Sequence, residues 1–209
     1  PMAADLAAMI DEAAASSKYI VFGSAGDDFC LGRDPEGREA GRPKDAMDAR
    51  RRSEVVFNFY GAFHRSKVPV VCAVRGRALG FGCALVGGSD MAIASEAARF
   101  ALPEMAHGIA PTLAMSALAK VAPKALAHMV YSMDEIDAQT ALAVGLISRI
   151  APADGLKDAL GDLLEKLAGY DVPAVRAVKR FLATGPGLDP DTMADLAGYT
   201  LATVNTRPK

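Results

Sequence analysis

The segment Pro69–Cys83, PVVCAVRGRALGFGC, joins an apolar run to a turn that is rich in glycine. The run Pro69–Val74 predicts a buried strand, because a short continuous apolar stretch is typical of a strand covered on both faces. A helix of small residues, Cys83–Gly87, is expected to follow the turn. Strand, glycine turn and helix in this order indicate an α/β unit.

Apolar runs and helical periods alternate on both sides of this segment. Further strands are predicted at residues 19–22, 90–94, 99–101 and 146–150. Helices are predicted at about 2–15, 45–65, 112–121, 123–131, 137–144, 153–168, 172–184 and 191–205. The pattern therefore predicts an α/β core with parallel strands over residues 1–150 and a helical region over residues 151–209.

Composition and charge exclude several classes of protein. The 209 residues carry 23 Lys+Arg against 25 Asp+Glu, so no basic patch for nucleic acid is expected. No apolar run reaches the roughly 18 residues of a membrane-spanning helix, and no signal peptide is visible. The three cysteines, Cys30, Cys72 and Cys83, lack the spacing of metal ligands. We therefore expect a cytoplasmic protein that binds neither nucleic acid nor a membrane.

The glycines at 76, 80 and 82 differ in spacing from a dinucleotide-binding motif, and no Lys-Ser/Thr pair of a P-loop follows them. They permit a tight turn with a closely packed helix. They also permit backbone N–H groups that are exposed at a helix N-terminus and hold an oxyanion. A second glycine turn, Phe29–Asp34, could supply a second N–H donor, and acyl-thioester chemistry needs two. The residues alone leave both interpretations open.

Glu104 is the carboxylate best suited to act as a base. It follows Pro103, has Met105 beside it, and precedes the turn Gly108–Pro111. Apolar surroundings raise the pKa of a carboxyl group, which suits a general base, although an ordinary exposed glutamate is the alternative for this segment. No serine lies in a G-x-S-x-G motif. The histidines are too scattered to form a metal site, so no metal is predicted: His64, His107 and His128.

The glycine turns and Glu104 belong to a series of segments in a fixed order. The segments are FCLGRD (29–34), PVVCAVRG (69–76), ALGFGC (78–83), SDMAIA (89–94), ARFALPE (98–104), GIAP (108–111) and IDAQTALAVGLI (136–147). Together they resemble the crotonase (enoyl-CoA hydratase/isomerase) superfamily over nearly the whole chain. The resemblance implies a spiral of ββα units, a C-terminal helical trimerisation region that gives a homotrimer or hexamer, and a coenzyme A thioester substrate. No cofactor is implied, because coenzyme A is part of the substrate.

The resemblance also implies which residues form the site. The backbone N–H groups of Arg33 and Phe81 would stabilise a thioester enolate, and Glu104 would be the catalytic carboxylate. The neighbours of the two donors would bind the substrate: Leu31, Gly32, Asp34 and Gly80. The loop 24–44 would form the mouth of the pocket, where Arg33, Arg38 or Lys44 could meet coenzyme A phosphates. The family's N-terminal strands are expected to be missing from the chain.

Departures from the family's pattern predict the reaction. Hydratases of this superfamily carry two glutamates that hold one water; Glu104 matches the second, whereas Ala84 stands in place of the first. One carboxylate can still move a proton from the α-carbon to the γ-carbon, so we predict isomerisation of a 3-enoyl-CoA to a 2-enoyl-CoA. Phe81 replaces a usual glycine and is expected to narrow the acyl pocket. His107, also unusual, is a candidate second acid or base.

Other functions stay open at this point. One is an enoyl-CoA hydratase that uses Glu104 with a different second group. Another is a non-catalytic acyl-CoA-binding paralogue that has lost activity with the carboxylate at Ala84. A further crotonase reaction, such as thioester hydrolysis or dehalogenation through Glu104 or His107, is the third.

Overall fold

A computed structural model describes residues 2–32 and 43–207 of the chain. The helices in this part are α1 (Met2–Ser16), α2 (Ala46–Arg65), α3 (Phe81–Gly88), α4 (Thr112–Ala117), α5 (Pro123–Ser132), α6 (Ala138–Ala143), α7 (Leu156–Gly169), α8 (Val172–Thr184) and α9 (Pro190–Asn205). The strands are β1 (Ile20–Phe22), β2 (Val70–Val74), β3 (Arg77–Leu79), β4 (Met91–Ser95), β5 (Arg99–Ala101), β6 (Ile136–Asp137) and β7 (Arg149–Ala151). Two 3₁₀ helices span Pro103–His107 and Gly185–Gly187.

The strands form two sheets that the chain visits in turn. The four-stranded sheet has the order β1-β2-β4-β7 and is parallel throughout. In the three-stranded sheet, of order β3-β5-β6, β3 and β5 are parallel and β6 is antiparallel to β5. Thus β2, β3 and α3 form one ββα unit, and β4, β5 and the following helices repeat it. The predicted α/β fold with a spiral of ββα units is confirmed.

Burial of apolar side chains explains why the two sheets stay together. The main core cluster combines residues of both sheets with residues of α3–α6, among them Val74, Ala84, Ala94, Phe100 and Leu118. A second cluster joins α1 and α2 to β2 through Ile10, Phe59, Phe63 and Val70. A third, smaller cluster of Ile93, Ala151 and Ala159 holds α7 against β4 and β7. The central parallel strands β2 and β4 are each buried at four of five positions, as their continuous apolar runs predict.

Several predicted element boundaries were wrong. Residues 77–79 were assigned to the glycine turn, but they form β3, whose three residues pair with β5. The strand predicted at 146–150 is β7, Arg149–Ala151, and the helix predicted at 112–121 ends at Ala117. α3 begins at Phe81 rather than Cys83. Strands of three residues are too short to show a periodic pattern. Where they form depends on pairing with a strand that is distant in the sequence.

The helical region beyond residue 150 is described as α7–α9, with a 3₁₀ turn before α9. The predicted helix 172–184 is confirmed, and its N-cap Asp171 accepts the backbone N–H of Ala174 at 3.0 Å. The division into units 1–150 and 151–209 stays a prediction. Within the described residues, no helix combines the length and apolarity that crossing a membrane requires.

Candidate active site

The two glycine turns lie against each other. Cys30 forms a parallel bridge with Ala78: its N–H donates to the Arg77 carbonyl at 3.1 Å, and its carbonyl accepts the Leu79 N–H at 2.9 Å. A Cβ atom on Gly82 would lie only 2.3 Å from the Cys30 carbonyl oxygen, so only glycine fits there. Gly32 has a φ of +105°, a conformation that favours glycine. The segment that ends at Gly32 therefore lies across the first turn of α3.

The N-terminus of α3 presents a free donor. Gly80, the N-cap residue, has a φ of +53°, and no side chain caps the helix. The first helical bond runs from the Ala84 N–H to the Gly80 carbonyl at 3.0 Å, so the preceding N–H groups lack helical acceptors. Within residues 2–32 and 43–207, the Phe81 N–H has no hydrogen-bond acceptor. Its position thus agrees with the predicted role as an oxyanion donor, although that role itself stays a prediction.

The Glu104 carboxyl lies beside the same turn. Glu104 belongs to the 3₁₀ helix that follows β5, and a Cβ atom on Gly80 would be 2.8 Å from its Oε1 atom. Its Oε2 atom is buried and has no hydrogen-bond partner in the described part of the chain. Burial raises the pKa of this carboxyl above its ordinary value of 4.5. Glu104 is therefore a proton acceptor held next to the first turn of α3.

The residues that follow Phe81 supply no second carboxylate. Ala84 is fully buried in the main core, one helical turn after Gly80. Cys83 is also buried; desolvation, with a smaller effect of the Glu104 charge, raises the pKa of its thiol to about 12. The Cys83 side chain is therefore a neutral thiol at physiological pH. Apolar or neutral groups surround the base on this side.

The Phe81 ring packs against α2. Its centroid lies 5.7 Å from that of Phe59 and 5.8 Å from that of Tyr60, with interplanar angles of 29° and 26°. Both are stacked arrangements, and Phe59 is fully buried. The sequence predicted a ring that narrows the acyl pocket. The structure gives the ring a packing role at the junction of α2 and α3, and the effect on the pocket stays a prediction.

His107 stands apart from this arrangement. It is the last residue of the 3₁₀ helix that contains Glu104, and its side chain is exposed. No hydrogen bond or ion pair to another residue of the described ranges holds the His107 imidazole in place. Its role as a second acid or base stays a prediction that gains no support from the geometry.

Some predicted residues fall outside the described ranges or at their edge. Arg33, Asp34 and Arg38 lie outside the described residues. Leu31 precedes the gap and is 60% exposed. The backbone N–H of Lys44 donates to the Asp48 carboxylate at 3.0 Å, next to the start of α2. The predicted contacts of Arg33, Arg38 and Lys44 with coenzyme A phosphates stay predictions.

Sequence reasoning missed Asp28 as part of the site. Its Oδ1 atom accepts the Arg77 N–H at 2.7 Å, which ties the first glycine turn to β3. An aspartate in a loop rich in glycine and aspartate gives no signal of its distant partner. The contact of Gly80 with Glu104 was likewise missed, because these residues lie on different elements.

Two apposed glycine turns and a half-buried carboxylate, on a spiral of ββα units, are the features on which the resemblance to the crotonase superfamily rested. The chain matches the enoyl-CoA hydratase/isomerase family over residues 2–192, and it belongs to that family. The crotonase resemblance inferred from the sequence is thereby confirmed.

Relatives with curated names differ in the reaction that they are named for. The chain is 31% identical over 161 residues to human enoyl-CoA hydratase domain-containing protein 3, mitochondrial. The matched region is 76% of this chain and 52% of that protein. It is 30% identical over 182 residues to the (7aS)-7a-methyl-1,5-dioxo-2,3,5,6,7,7a-hexahydro-1H-indene-carboxyl-CoA hydrolase of Mycobacterium tuberculosis, covering 85% of the chain and 72% of that enzyme. The chain thus spans about half the length of several curated relatives that it matches.

A solved structure shows the same fold. The enoyl-CoA hydratase of Mycobacterium smegmatis superimposes with a TM-score of 0.92 at 25% identity, over 99% of this chain and 81% of that one. Family membership is therefore shown by sequence and by fold. The individual reaction depends on the residues of the site.

Proposed function

We propose that the protein acts on acyl-CoA thioesters and isomerises a 3-enoyl-CoA to a 2-enoyl-CoA through a thioester enolate. The observation that carries this proposal is the half-buried Glu104 carboxyl, which lies against Gly80 and whose buried Oε2 atom has no hydrogen-bond partner within the described residues. The fully buried Ala84 is the second support, because it offers no group to hold water.

The reaction needs one base that returns the proton it takes. The Glu104 carboxylate removes a proton from C2, and the C–H electron pair moves towards the thioester carbonyl, whose oxygen becomes negative. The Phe81 N–H donates to this oxygen; Arg33, outside the described residues, would supply the second N–H. Protonated Glu104 then delivers the proton to C4, the C2=C3 bond forms, the C3=C4 bond is lost and the carbonyl is restored. Nothing else is consumed.

The raised pKa of Glu104 suits both halves of this cycle. A carboxylate with a raised pKa is a stronger base, and its conjugate acid still gives up the proton to the dienolate. Hydration would need a second group to hold and activate a water molecule. The exposed His107 side chain is not held in place for that task by any contact within the described residues.

Steady-state assays with purified protein test the proposal. We expect a 3-enoyl-CoA to gain the absorbance of a conjugated thioester, and Glu104→Gln to lower kcat by about 10²–10⁴-fold, the usual contribution of a general acid-base group. Loss of conjugated absorbance from a 2-enoyl-CoA in wild-type protein would favour the hydratase instead. Binding of acyl-CoA without turnover of either substrate would favour the non-catalytic paralogue.

Ala84→Glu provides a second comparison. We expect hydration of a 2-enoyl-CoA to appear in this variant alone, because a second carboxylate would then stand one helical turn from Gly80. Equal hydration by wild-type protein and Ala84→Glu would contradict the proposed reason for isomerisation.

We propose further that the chain forms a homotrimer or hexamer through its C-terminal helices. None of the described residues of α9 is buried, and apolar side chains of α8 and α9 are largely exposed: Val178 59%, Leu182 54% and Leu201 62%. Light scattering should give a multiple of three chains, and Leu182→Glu should lower the mass. A monomeric wild-type protein at micromolar concentration would contradict this assembly.

A further inference from the structure

We infer that Arg75, together with Asp28, is a positioning residue for the oxyanion site. Arg75 follows β2 and fixes the segment 24–32 against the turn that begins α3. The inference rests on the proposed enolate chemistry, since it concerns the position of the Phe81 N–H, the donor to the enolate oxygen within the described residues.

One guanidinium group binds three successive carbonyls of this segment. The Arg75 Nε atom donates to the Gly26 carbonyl at 2.6 Å. Its Nη2 atom donates to the carbonyls of Ala25 at 2.9 Å and Ser24 at 3.3 Å. The planar guanidinium of arginine has several donors in fixed directions and can hold a loop in one conformation. The ammonium group of lysine is a single charged centre on a flexible stem.

Residues 27–30 contact residues 76–79 one after another along the chain. A Cβ atom on Gly76, whose φ is +58°, would lie 2.3 Å from the Asp27 carbonyl oxygen. The Asp28 carboxylate accepts the Arg77 N–H at 2.7 Å. Cys30 then pairs on both sides, with the Arg77 carbonyl and the Leu79 N–H. The segment is thus attached to the turn at successive points, beginning at Arg75.

The last of these points is the active-site helix itself. The Cys30 carbonyl oxygen would lie 2.3 Å from a Cβ atom on Gly82, directly after Phe81. Functional groups of a site work only when they are held within about 0.5 Å of the productive geometry. A shift of the segment would therefore be passed through Cys30 to Gly82 and to the neighbouring Phe81 N–H. None of the residues 24–32 is buried, and of these residues only Phe29 packs against the two larger core clusters, so the hydrogen bonds of Arg75 add to a limited core contact.

The test uses 2,4-hexadienoyl-CoA as a probe. Hydrogen bonds from N–H donors to the carbonyl of a conjugated thioester shift its absorption to longer wavelength, and this red shift at saturating probe reports donor geometry rather than protein stability. We expect Arg75→Met to halve the red shift or more, and to lower kcat about tenfold to a hundredfold with KM changed less than about threefold, because misplacement by about 1 Å can cost this much. Arg75→Lys should fall between Arg75→Met and wild type.

Arg99→Met is the matched control. The Arg99 Nη1 atom also donates to backbone carbonyls, those of Ala97 and Ala98, but they belong to its own turn. We expect Arg99→Met to keep the wild-type red shift and kcat.

The outcomes separate the two proposals. A red shift in Arg75→Lys and Arg75→Met equal to that of wild type would overturn the role of Arg75. A wild-type red shift that is lost in the Arg75 variants, without turnover of any 3-enoyl-CoA, would support the role of Arg75 and overturn isomerisation. A wild-type protein that binds the probe without any red shift would overturn both.

Discussion

At the scale of single residues, Gly80 and Glu104 constrain each other. The left-handed backbone of Gly80 starts α3, and the missing side chain leaves the space that the Glu104 carboxyl fills. The carboxyl owes its position to a glycine, and its raised pKa to the desolvation that this position imposes. A change at either residue should therefore change the position or the pKa of the carboxyl that we propose as the base.

Gly80→Ala should displace the base. The new Cβ atom would lie 2.8 Å from Glu104 Oε1, and the backbone strain at a φ of +53° and a ψ of −111° adds about 1–3 kcal/mol. We expect kcat for the proposed isomerisation to fall at least about tenfold, since small misplacements of catalytic groups have effects of this size. The assay is steady-state turnover of folded protein.

Gly145→Ala controls for the strain alone. Gly145 has a φ of +80°, but a Cβ atom there would be 3.6 Å from its nearest neighbour, an ordinary contact. We expect similar destabilisation without loss of kcat. Equal loss of kcat in both variants would show that strain rather than the Glu104 contact is responsible.

The pH dependence of turnover should carry the signature of Glu104. Burial raises its pKa above 4.5, and only the ionised form accepts a proton. The plot of kcat/KM against pH should therefore fall on the acid side with a midpoint above 4.5. A midpoint at or below 4.5 would contradict the assignment of Glu104 as the base.

The free energy of unfolding should also depend on pH through the titration of Glu104. Because the folded state holds this proton more tightly than the unfolded state, the wild-type free energy of unfolding declines as pH rises from 4.5 through the raised pKa. Glu104→Gln lacks this titration. The Tm of Glu104→Gln minus the Tm of wild type should therefore increase as pH rises over that range. Thermal melts at several pH values can measure this difference.

At the scale of secondary-structure elements, the junction of α2 and α3 holds the first turn of α3 in place. The Phe81 ring stacks on Phe59 and Tyr60, so the side chain holds α3 in place, while the N–H of the same residue has no acceptor within the described residues. In the proposed mechanism, the ring of Phe81 contributes packing and its backbone N–H contributes the donor to the enolate oxygen.

Phe81→Leu should separate these two parts. Loss of two aromatic pairs, each worth about 0.5–1.5 kcal/mol, should lower the free energy of unfolding by about 1–3 kcal/mol in urea titrations. The backbone N–H is kept, so kcat should change less than about threefold. A large rise in turnover of longer acyl chains would instead show that the ring narrows the acyl pocket.

At the scale of the whole molecule, one buried ion pair joins α8 to the core. The Lys179 side chain is 5% exposed, and its Nζ atom donates to both Asp90 carboxylate oxygens at 2.7 Å and to the Phe63 carbonyl at 2.8 Å. Asp90 also accepts the Val70 N–H at 2.8 Å. The pair therefore links α8 with the end of α2, with β2 and with the start of β4.

Lys179→Met should destabilise the protein by about 3–5 kcal/mol, because removal of one partner leaves the other charge buried and uncompensated. The double variant Lys179→Met/Asp90→Asn should lose less than the sum of the single variants. Urea titrations of all four proteins would give the coupling energy. Strict additivity would show that the two groups contribute independently.

The sequence by itself determined the fold class, the family and the candidate base. Buried parallel strands appear as continuous apolar runs, and a positive φ or a close backbone approach requires glycine, so these features are recorded locally in residues such as Gly80 and Gly82. The order of the motifs then identified the family. Short pairings such as β3 could not be predicted, because their partners lie elsewhere in the chain.

Only the tertiary structure decided which residues act together. Three contacts join distant parts of the chain. Glu104 lies against Gly80, and Cys30 packs against Gly82. Arg75 donates hydrogen bonds to carbonyls about 50 residues away. The Lys179–Asp90 pair spans 89 residues. A side chain's type limits what it can bind, but its partner and the pKa that results depend on burial and distance, which exist only once the chain has folded.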